Sequence, residues 1–221
     1  MAELTWDELD KRFFERGVDK GVLYTPTAGV YSSGVAWNGL TAVTESPAGA
    51  ESNKQYADNM VYVNLLSAEE FNATIEAFTF PEEFLLHDGV VKTANGAQYG
   101  MQSRPTFGFC WRNLKGNAED EDLGYVLNLA YGLQASPSEK ANNTVNDSPE
   151  LKAFSWTVSS TPVAVPGYKP TAIVKVDSTD ADVTPEGLAA LEDALYGRDA
   201  TPARLPLPAE VDTLLGTVAG P

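Results

Sequence analysis

The chain has almost none of the residues that most often perform chemistry. Its 221 positions include one cysteine, Cys110, and one histidine, His87. A single thiol cannot close a disulfide within the chain, and nothing points to an oxidising compartment. Metal sites built on histidine pairs or cysteine clusters are excluded by the same count. A Ser-His-Asp or Cys-His arrangement would have to use His87, because its nucleophile needs a base within hydrogen-bond reach. His87 stands at the end of a short predicted helix, before Asp88-Gly89, where the helix dipole favours a partly charged imidazole. The structural role outweighs the catalytic one.

Phosphate-binding signatures are missing too. No glycine-rich run leads into Gly-Lys-Ser/Thr, and no GxGxxG follows a strand. The acidic run Glu119-Asp120-Glu121-Asp122 lacks the alternating ligands and terminal glutamate of an EF-hand loop. A calcium loop counted from Asp180 puts Pro185 at the glycine position and Leu191 at the glutamate position, and fails. Paired carboxylates for glycoside hydrolysis meet only in a fold, so sequence leaves them open. With 31 acids some pair always looks suggestive, which weakens that reading. The expectation is a protein without enzymatic activity, metal or cofactor.

Basic residues are scarce. Fifteen Lys and Arg against 31 Asp and Glu give a formal charge of −16, with no basic cluster. Gripping nucleic acid requires cationic side chains that displace counterions, so that function is not expected. A field of this sign repels a passing polyanion instead. No apolar run is long enough for a membrane-spanning helix. Met1-Ala2-Glu3-Leu4, followed by Asp7, Glu8 and Asp10, lacks the basic start and apolar run of a signal peptide. Synthesis and folding in a cytoplasm are expected, and glycosylation-like matches at Asn72, Asn142 and Asn146 read as chance.

What is present is β-pattern. Ala73, Ile75 and Ala77 alternate with Asn72, Thr74 and Glu76, and Phe107, Phe109 and Trp111 oppose Gly108, Cys110 and Arg112. Tyr125, Leu127, Leu129, Tyr131 and Leu133 form one face, opposite Val126, Asn128, Ala130, Gly132 and Gln134. Phe154, Trp156 and Val158 repeat the pattern, as do Ala172, Val174 and Val176. Val61 to Leu66, apolar on both faces apart from Asn64, reads as a central strand. With Gly21 to Thr25 and Val35 to Thr44 the count is roughly eight strands, as in a sandwich or barrel. Trp37, Trp111 and Trp156 lie within strand patterns and read as core. A chain of this mass folds to an accessible surface of roughly 9,800 Å².

Helices are few. Pro81 to His87 is a predicted two-turn helix stopped by Gly89. Thr184 caps a helix opening at Pro185 and ending at Gly197, with Leu188, Leu191 and Leu195 as its apolar stripe. Thr5-Trp6-Asp7-Glu8 has capping-box spacing for a short helix to about Arg16, and Ala209 to Leu215 is a further short helix beyond Pro202, Pro206 and Pro208. Three connections are prominent: Thr44 to Asp58, Ser136 to Pro149, and Gly116 to Gly124 around the four acids. The first is polar and long enough to be functional or disordered.

Several segments in order resemble the major tail proteins of long-tailed bacteriophages. They are Arg12 to Tyr24, Trp37-Asn38-Gly39-Leu40, Glu45-Ser46-Pro47, Gly49-Ala50-Glu51, Ala68-Glu69-Glu70-Phe71, Ile75 to Phe78 and Pro81 to Phe84. Pro105 to Phe109 and Phe154 to Val163 continue the likeness, which covers roughly Arg12 to Tyr196. The resemblance implies a mainly β fold: a β-sandwich or partial barrel of the tail-tube type with one flanking α-helix and short terminal helices. It implies one domain over residues 1–221, with 1–20 as an N-terminal arm and 184–221 as a helical, Pro-rich C-terminal segment. It also implies homohexameric rings stacked into a tail tube, with tape-measure and tail-terminator or initiator proteins as partners. Phage DNA would pass through without specific binding, no membrane would be involved, and the protein would reside in the virion after assembly in the host cytoplasm. The ring-stacking loop would fall on Glu45, Ser46, Pro47, Glu51, Asn53, Lys54, Gln55 and Tyr56. Glu119, Asp120, Glu121 and Asp122 would form an acidic surface or part of a lumen, and six copies at −16 carry −96 formal charges per ring. The small residues Gly108, Ala130 and Gly132 would suit sheets that join edge to edge. Two alternatives stay open: a monomeric β-sandwich binding module with an exposed aromatic row, and a two-carboxylate hydrolase with a deep cleft.

Overall fold

Alternating strands with an apolar residue at every second position need a surface to cover each apolar face, and the long strands here are apolar on both. In the computed structural model, which describes residues 6–144, 151–199 and 201–216, both faces are covered. Fourteen strands form among the described residues: β1 (Phe14–Thr27), β2 (Val30–Trp37), β3 (Leu40–Glu45), β4 (Ala48–Gly49), β5 (Ser52–Ala57), β6 (Met60–Leu66), β7 (Glu69–Glu70) and β8 (Asn72–Ala77), then β9 (Val91–Lys92), β10 (Gln98–Tyr99), β11 (Phe107–Gly116), β12 (Gly124–Ala135), β13 (Phe154–Ser160) and β14 (Ile173–Asp177). Helices α1 (Phe84–His87), α2 (Pro185–Tyr196) and α3 (Pro208–Leu215) complete the chain with one 3-10 turn, Leu9–Lys11. Eight strands make one antiparallel sheet in the order β2-β1-β11-β12-β13-β8-β3, with β14 also paired to β12. The architecture is mainly β and of sandwich type, without a closed barrel.

The inner face of the sheet packs on itself. Leu23, Trp37, Phe107, Phe109 and Trp111 meet Ile75, Trp156 and Val158 from the β8–β13 side. Phe84 of α1 fills the centre, its ring 4.5 Å from that of Trp37 and 5.1 Å from that of Trp156. The Trp37 indole donates to the Thr79 carbonyl at 2.9 Å, so its one polar atom is satisfied. All three strand tryptophans therefore belong to the core.

The outer face is covered by the C-terminal segment. Val22, Tyr24, Tyr31, Leu127, Leu129 and Tyr131 pack beneath Leu191 and Leu195 of α2, Leu205, and Val211 of α3. As the stripe and cap predict, Thr184 accepts from Gly187 N, Pro185 opens α2 and Gly197 closes it. Tyrosine hydroxyls bolt this layer down: Tyr24 donates to Leu195 O at 2.7 Å and Tyr131 to Pro206 O at 2.9 Å. The Pro-rich stretch runs along the free edge of β2, where Gly34 N donates to Ala203 O and Leu205 N to Tyr31 O.

The structure corrects several expectations. Leu133 lies on the inner face with Ala130, not with Leu129 and Tyr131. An extra residue on β12 opposite Phe107–Phe109 flips the alternation at Gly132, whose φ of +58° a glycine adopts without strain. Ala172 likewise packs on the inner face, while Val174 and Val176 pack outside. Val35 to Thr44 is two strands, broken at Asn38-Gly39. Trp6 to Arg16 holds only the single 3-10 turn before β1 begins at Phe14; Thr5 lies outside the described residues. The helix after Pro81 is one turn, Phe84–His87. Nor do the small residues serve edge pairing. Gly108 leaves room for Leu205 and Tyr31, Ala130 packs in the inner core, and Gly132 is the bulge.

A Cβ at Gly132 would sit 2.3 Å from the Thr161 carbonyl oxygen, in addition to the left-handed backbone cost. Gly132→Ala is expected to lower stability by about 1–3 kcal/mol. A thermal melt showing less than about 1 °C of change would contradict this account of the bulge.

Candidate assembly surface

The segment expected as a long polar loop is half of a hairpin that leaves the body of the protein. It begins where β3 pairs with β8, continues through the short β4–β7 pair, and ends as the ribbon β5–β6. Asp58 and Asn59 turn the ribbon, with φ of +50° and +60°. Positive φ at both turn residues is the type I′ geometry that suits the twist of a two-residue hairpin. Between the turn and the body, Ser67 N donates to Glu51 O, and Glu51 N to the Ser67 hydroxyl at 3.0 Å. Gly49, at φ +84°, lets the strands close, since a Cβ there would lie 2.1 Å from Ala68 O.

Strand β6 is the reverse of the expected central strand. It pairs only with β5, and every one of its residues is exposed. Tyr62 is 77% exposed, Tyr56 69%, Leu66 68%, Met60 66% and Leu65 55%. The registers put Val63 and Leu65 beside Gln55 and Asn53 on one face, and Leu66 and Asn64 beside Ser52 and Lys54 on the other. Ser52 donates to Asn64 at 2.7 Å across the second face. The apolar pattern on both faces was real, and no described residue covers it. An isolated two-stranded ribbon is marginal in water, and an exposed flat apolar strand with open edges invites another chain. The ribbon is also electrically quiet: residues 52–66 hold one Lys and one Asp in a chain of −16. The accessible surface is 14173 Å², well above the roughly 9,800 Å² of a compact monomer of this mass.

The eight residues proposed for ring stacking fall along this hairpin but not as a loop. Asn53, Lys54, Gln55 and Tyr56 lie in β5, and Glu51 closes its base. Ser46 N donates to Asn72 O, and exposed Pro47 follows it. Glu45 belongs to the body, where it accepts from Lys175 at 2.7 and 2.9 Å. Missed were Met60 to Leu66, the apolar half of the ribbon. Asp58-Asn59 immediately before the strand-like Val61 to Leu66 was the sequence signal for its turn.

The acidic run forms the β11–β12 turn. Arg16 donates to Glu121 at 3.0 Å and to Asp122 at 2.8 Å, and these carboxylates raise the Arg16 pKa. Asn117 caps the turn by accepting from Glu119 N and Asp120 N. Glu119 and Asp120 are exposed. Half of the run is therefore paired within the molecule, and the four acids do not meet the ribbon in any described contact.

His87 is fully buried and is not the partly charged helix terminus expected. Nδ1 is 2.9 Å from Pro105 O and so donates, leaving Nε2 to accept from the Thr25 hydroxyl at 3.1 Å. Both ring nitrogens are satisfied in the neutral form. Cys110 is buried beside the Tyr24 hydroxyl, and burial pushes its thiol up to about 12. A nucleophilic thiol needs the opposite shift. Among the described residues no group of three or more His, Cys, Asp or Glu is placed to hold a metal ion.

Burial lowers the His87 pKa below its ordinary 6.5, with the bond to Pro105 opposing in part. The unfolded chain then binds this proton more readily than the fold does, so stability is complete above pH 6.5 and falls as the pH drops below it. Urea midpoints should decline between about pH 7.5 and 5.5. His87→Gln should be less stable at the higher pH but show a smaller decline; an equal decline in both would remove His87 as the source.

No known protein family matches the chain, and no curated protein sequence matches it. Among solved structures, a chain of the six-fold symmetrised cryo-EM structure of the anti-feeding prophage (AFP) baseplate is similar. Identity is 10%, over 80% of this chain and 99% of that chain, with a TM-score of 0.31. No assignment rests on a likeness of this size.

Proposed function

We propose that this protein is a structural subunit that assembles with copies of itself, as homohexameric rings stacked into a phage tail tube. The observation that carries the reading is the β5–β6 ribbon. It is a charge-poor arm with large apolar side chains exposed on both faces, held out from a body whose own core is complete. Fully burying one such side chain is worth about 1.5–3 kcal/mol, so covering several of them offsets much of the cost of association. A partner that used the acidic surface would need to be basic; the arm is the part of the molecule that another −16 subunit can approach.

The finer reading follows the sequence resemblance. Residues 1–221 would act as one domain in the virion, assembled in the host cytoplasm with tape-measure and terminator or initiator proteins. Genome delivery would take place through the tube, with DNA contacted but not gripped. Exposed acids such as Glu119, Asp120 and Glu76 belong to a surface that repels a polyanion.

Removing only Ser46 to Gln55 would strand β6 without its partner, so the informative deletion takes both strands. Glu51 to Ser67 replaced by Asn-Gly should leave a folded chain, since the core lies elsewhere. Its melting temperature should stay within about 4 °C of wild type, a change of about 1 kcal/mol. Negative-stain electron microscopy should show rings or tubes for the wild type and none for the arm-less chain. Normal tubes from the arm-less chain would sink the proposal.

A further inference from the structure

Strand β1 carries two irregularities that its partner β11 does not share. Arg16 to Asp19 is three steps where Leu114 to Arg112 is two, and Asp19 to Val22 is three where Arg112 to Cys110 is two. Each is a bulge of one extra residue, a device that re-aims a side chain. Gly17 relieves the first, at φ +65°. The second holds Lys20 at φ +48°, a left-handed conformation that glycine adopts freely and lysine rarely does. Non-glycine residues kept in this region gather at sites where the aim of a side chain matters.

Lys20 is aimed at the C-terminal layer, its ammonium 5.0 Å from the centre of the Tyr196 ring. It makes no ion pair among the described residues. Its neighbour Asp19 is already held by Arg112, through Nε at 2.7 Å and Nη2 at 2.6 Å. Lys20 and Tyr196 both line a cleft of about 420 Å³ between β1, the β2–β3 connection and the C-terminal layer. Val18, Val22, Ala36, Leu40 and Ala203 give it apolar walls. The Tyr196 hydroxyl is buried without a hydrogen-bond partner, whereas those of Tyr24 and Tyr131 in the same layer are satisfied. Burial raises the Tyr196 pKa, so this hydroxyl keeps its proton and stays a donor. Two other clefts lack the combination. In the one beside α1, Lys92 is paired with Glu82 at 2.6 Å; in the one beside α3, Lys169 shares the lining with Asp212, an acid without an ion pair among the described residues.

We infer that this cleft is a binding site for a small carboxylate with an apolar body, an aryl- or alkyl-carboxylic acid. The carboxylate pairs with the Lys20 ammonium, and the apolar body lies along the walls. The volume falls within the roughly 300–1,000 Å³ of small-molecule sites, which are likewise apolar with a few placed polar groups. The apolar body is required by the charge balance. A chain of −16 repels anions in general, and an exposed ion pair alone contributes little. Inorganic phosphate, which has no apolar part, is therefore not a ligand. The site does not depend on the self-assembly reading.

Calorimetric titration of the full chain with phenylbutyrate tests this, with phenylbutyramide as the neutral counterpart. A Kd of about 1 mM is expected for the acid, from its size. The amide should bind about ten-fold more weakly. Lys20→Asn removes the charge with a residue that tolerates positive φ, and should lose about ten-fold in affinity for the acid; Lys20→Arg should retain it. Ala36→Trp fills the cleft from an exposed position on β2 and should abolish binding without lowering the melting temperature. No heat from the acid at ten times the expected Kd, or equal affinity for acid and amide, overturns the inference on the wild type alone. Unchanged affinity in Lys20→Asn, or in folded Ala36→Trp, places the ligand elsewhere and overturns it as well.

Discussion

The constraint on which the structure depends is that β1, β11 and β12 are apolar on both faces. A sheet of that kind is stable in water only when two separate layers cover it. The inner layer comes from the sheet itself, which folds β8 and β13 over Trp37, Phe107 and Phe109 around Phe84. The outer layer has to come from elsewhere in the chain, and it is the C-terminal segment, held by Leu191, Leu195, Leu205 and Val211. Tyr24 and Tyr131 sit at the boundary, each with a buried ring and a hydroxyl that satisfies a carbonyl of the covering segment. Leaving either carbonyl unpaired in that setting costs about 1–3 kcal/mol, so these bonds fix where the segment lies as much as how tightly it binds.

Closing the outer face also decides which surfaces remain for partners. The segment 203–205 occupies the outer edge of β2, and Pro202, Pro206 and Pro208 flank it with backbone that cannot donate to a further strand. One end of the eight-stranded sheet is therefore sealed by the chain's own residues. At the other end β3 is the terminal strand, and it is from the β3–β8 pair that the arm emerges. The open end of the sheet and the exposed ribbon belong to one continuous hairpin, Leu40 to Ala77. Within the eight-stranded sheet the terminal edge strand β3 thus lies in the same stretch of chain as the exposed ribbon.

Much of this was legible in the sequence, and the failures have two distinct causes. Alternation at Asn72 to Ala77 and at Phe154 to Val158 gave the correct buried faces because both strands are regular and half-buried. Thr184, Pro185 and Gly197 gave the ends of α2, since a cap, a first-turn proline and a terminal glycine each act locally. Leu133 was misplaced because a bulge adds one residue, and period-two counting cannot register an insertion that only the partner strand defines. Val61 to Leu66 was misplaced for a different reason. Apolar residues on both faces say that both faces want to be covered, but not which molecule covers them. Burial within one chain and burial between chains leave the same pattern. Strand β5 concealed the hairpin further, since Ser52 to Gln55 is polar enough to read as loop.

Charge then separates how such subunits find one another from how they stay together. Copies carrying −16 each repel at long range, and at physiological ionic strength that repulsion extends over roughly 8 Å. It slows encounter and disfavours approach through surfaces such as the exposed Glu119 and Asp120. The arm reaches beyond the body by up to about 20 Å at ordinary strand rise, further than that screened field. In the proposed assembly its tip would meet a neighbour while the two acidic bodies are still electrostatically separate. Apolar contact at the arm would then govern dissociation and the body's charge would govern association, so the two rates would respond to different parts of the sequence. Replacing an apolar arm residue by a smaller neutral one leaves the field unchanged, whereas removing surface acids changes encounter without touching the contact. A subunit built this way can remain dispersed as a highly charged monomer and still hold together once arms are seated.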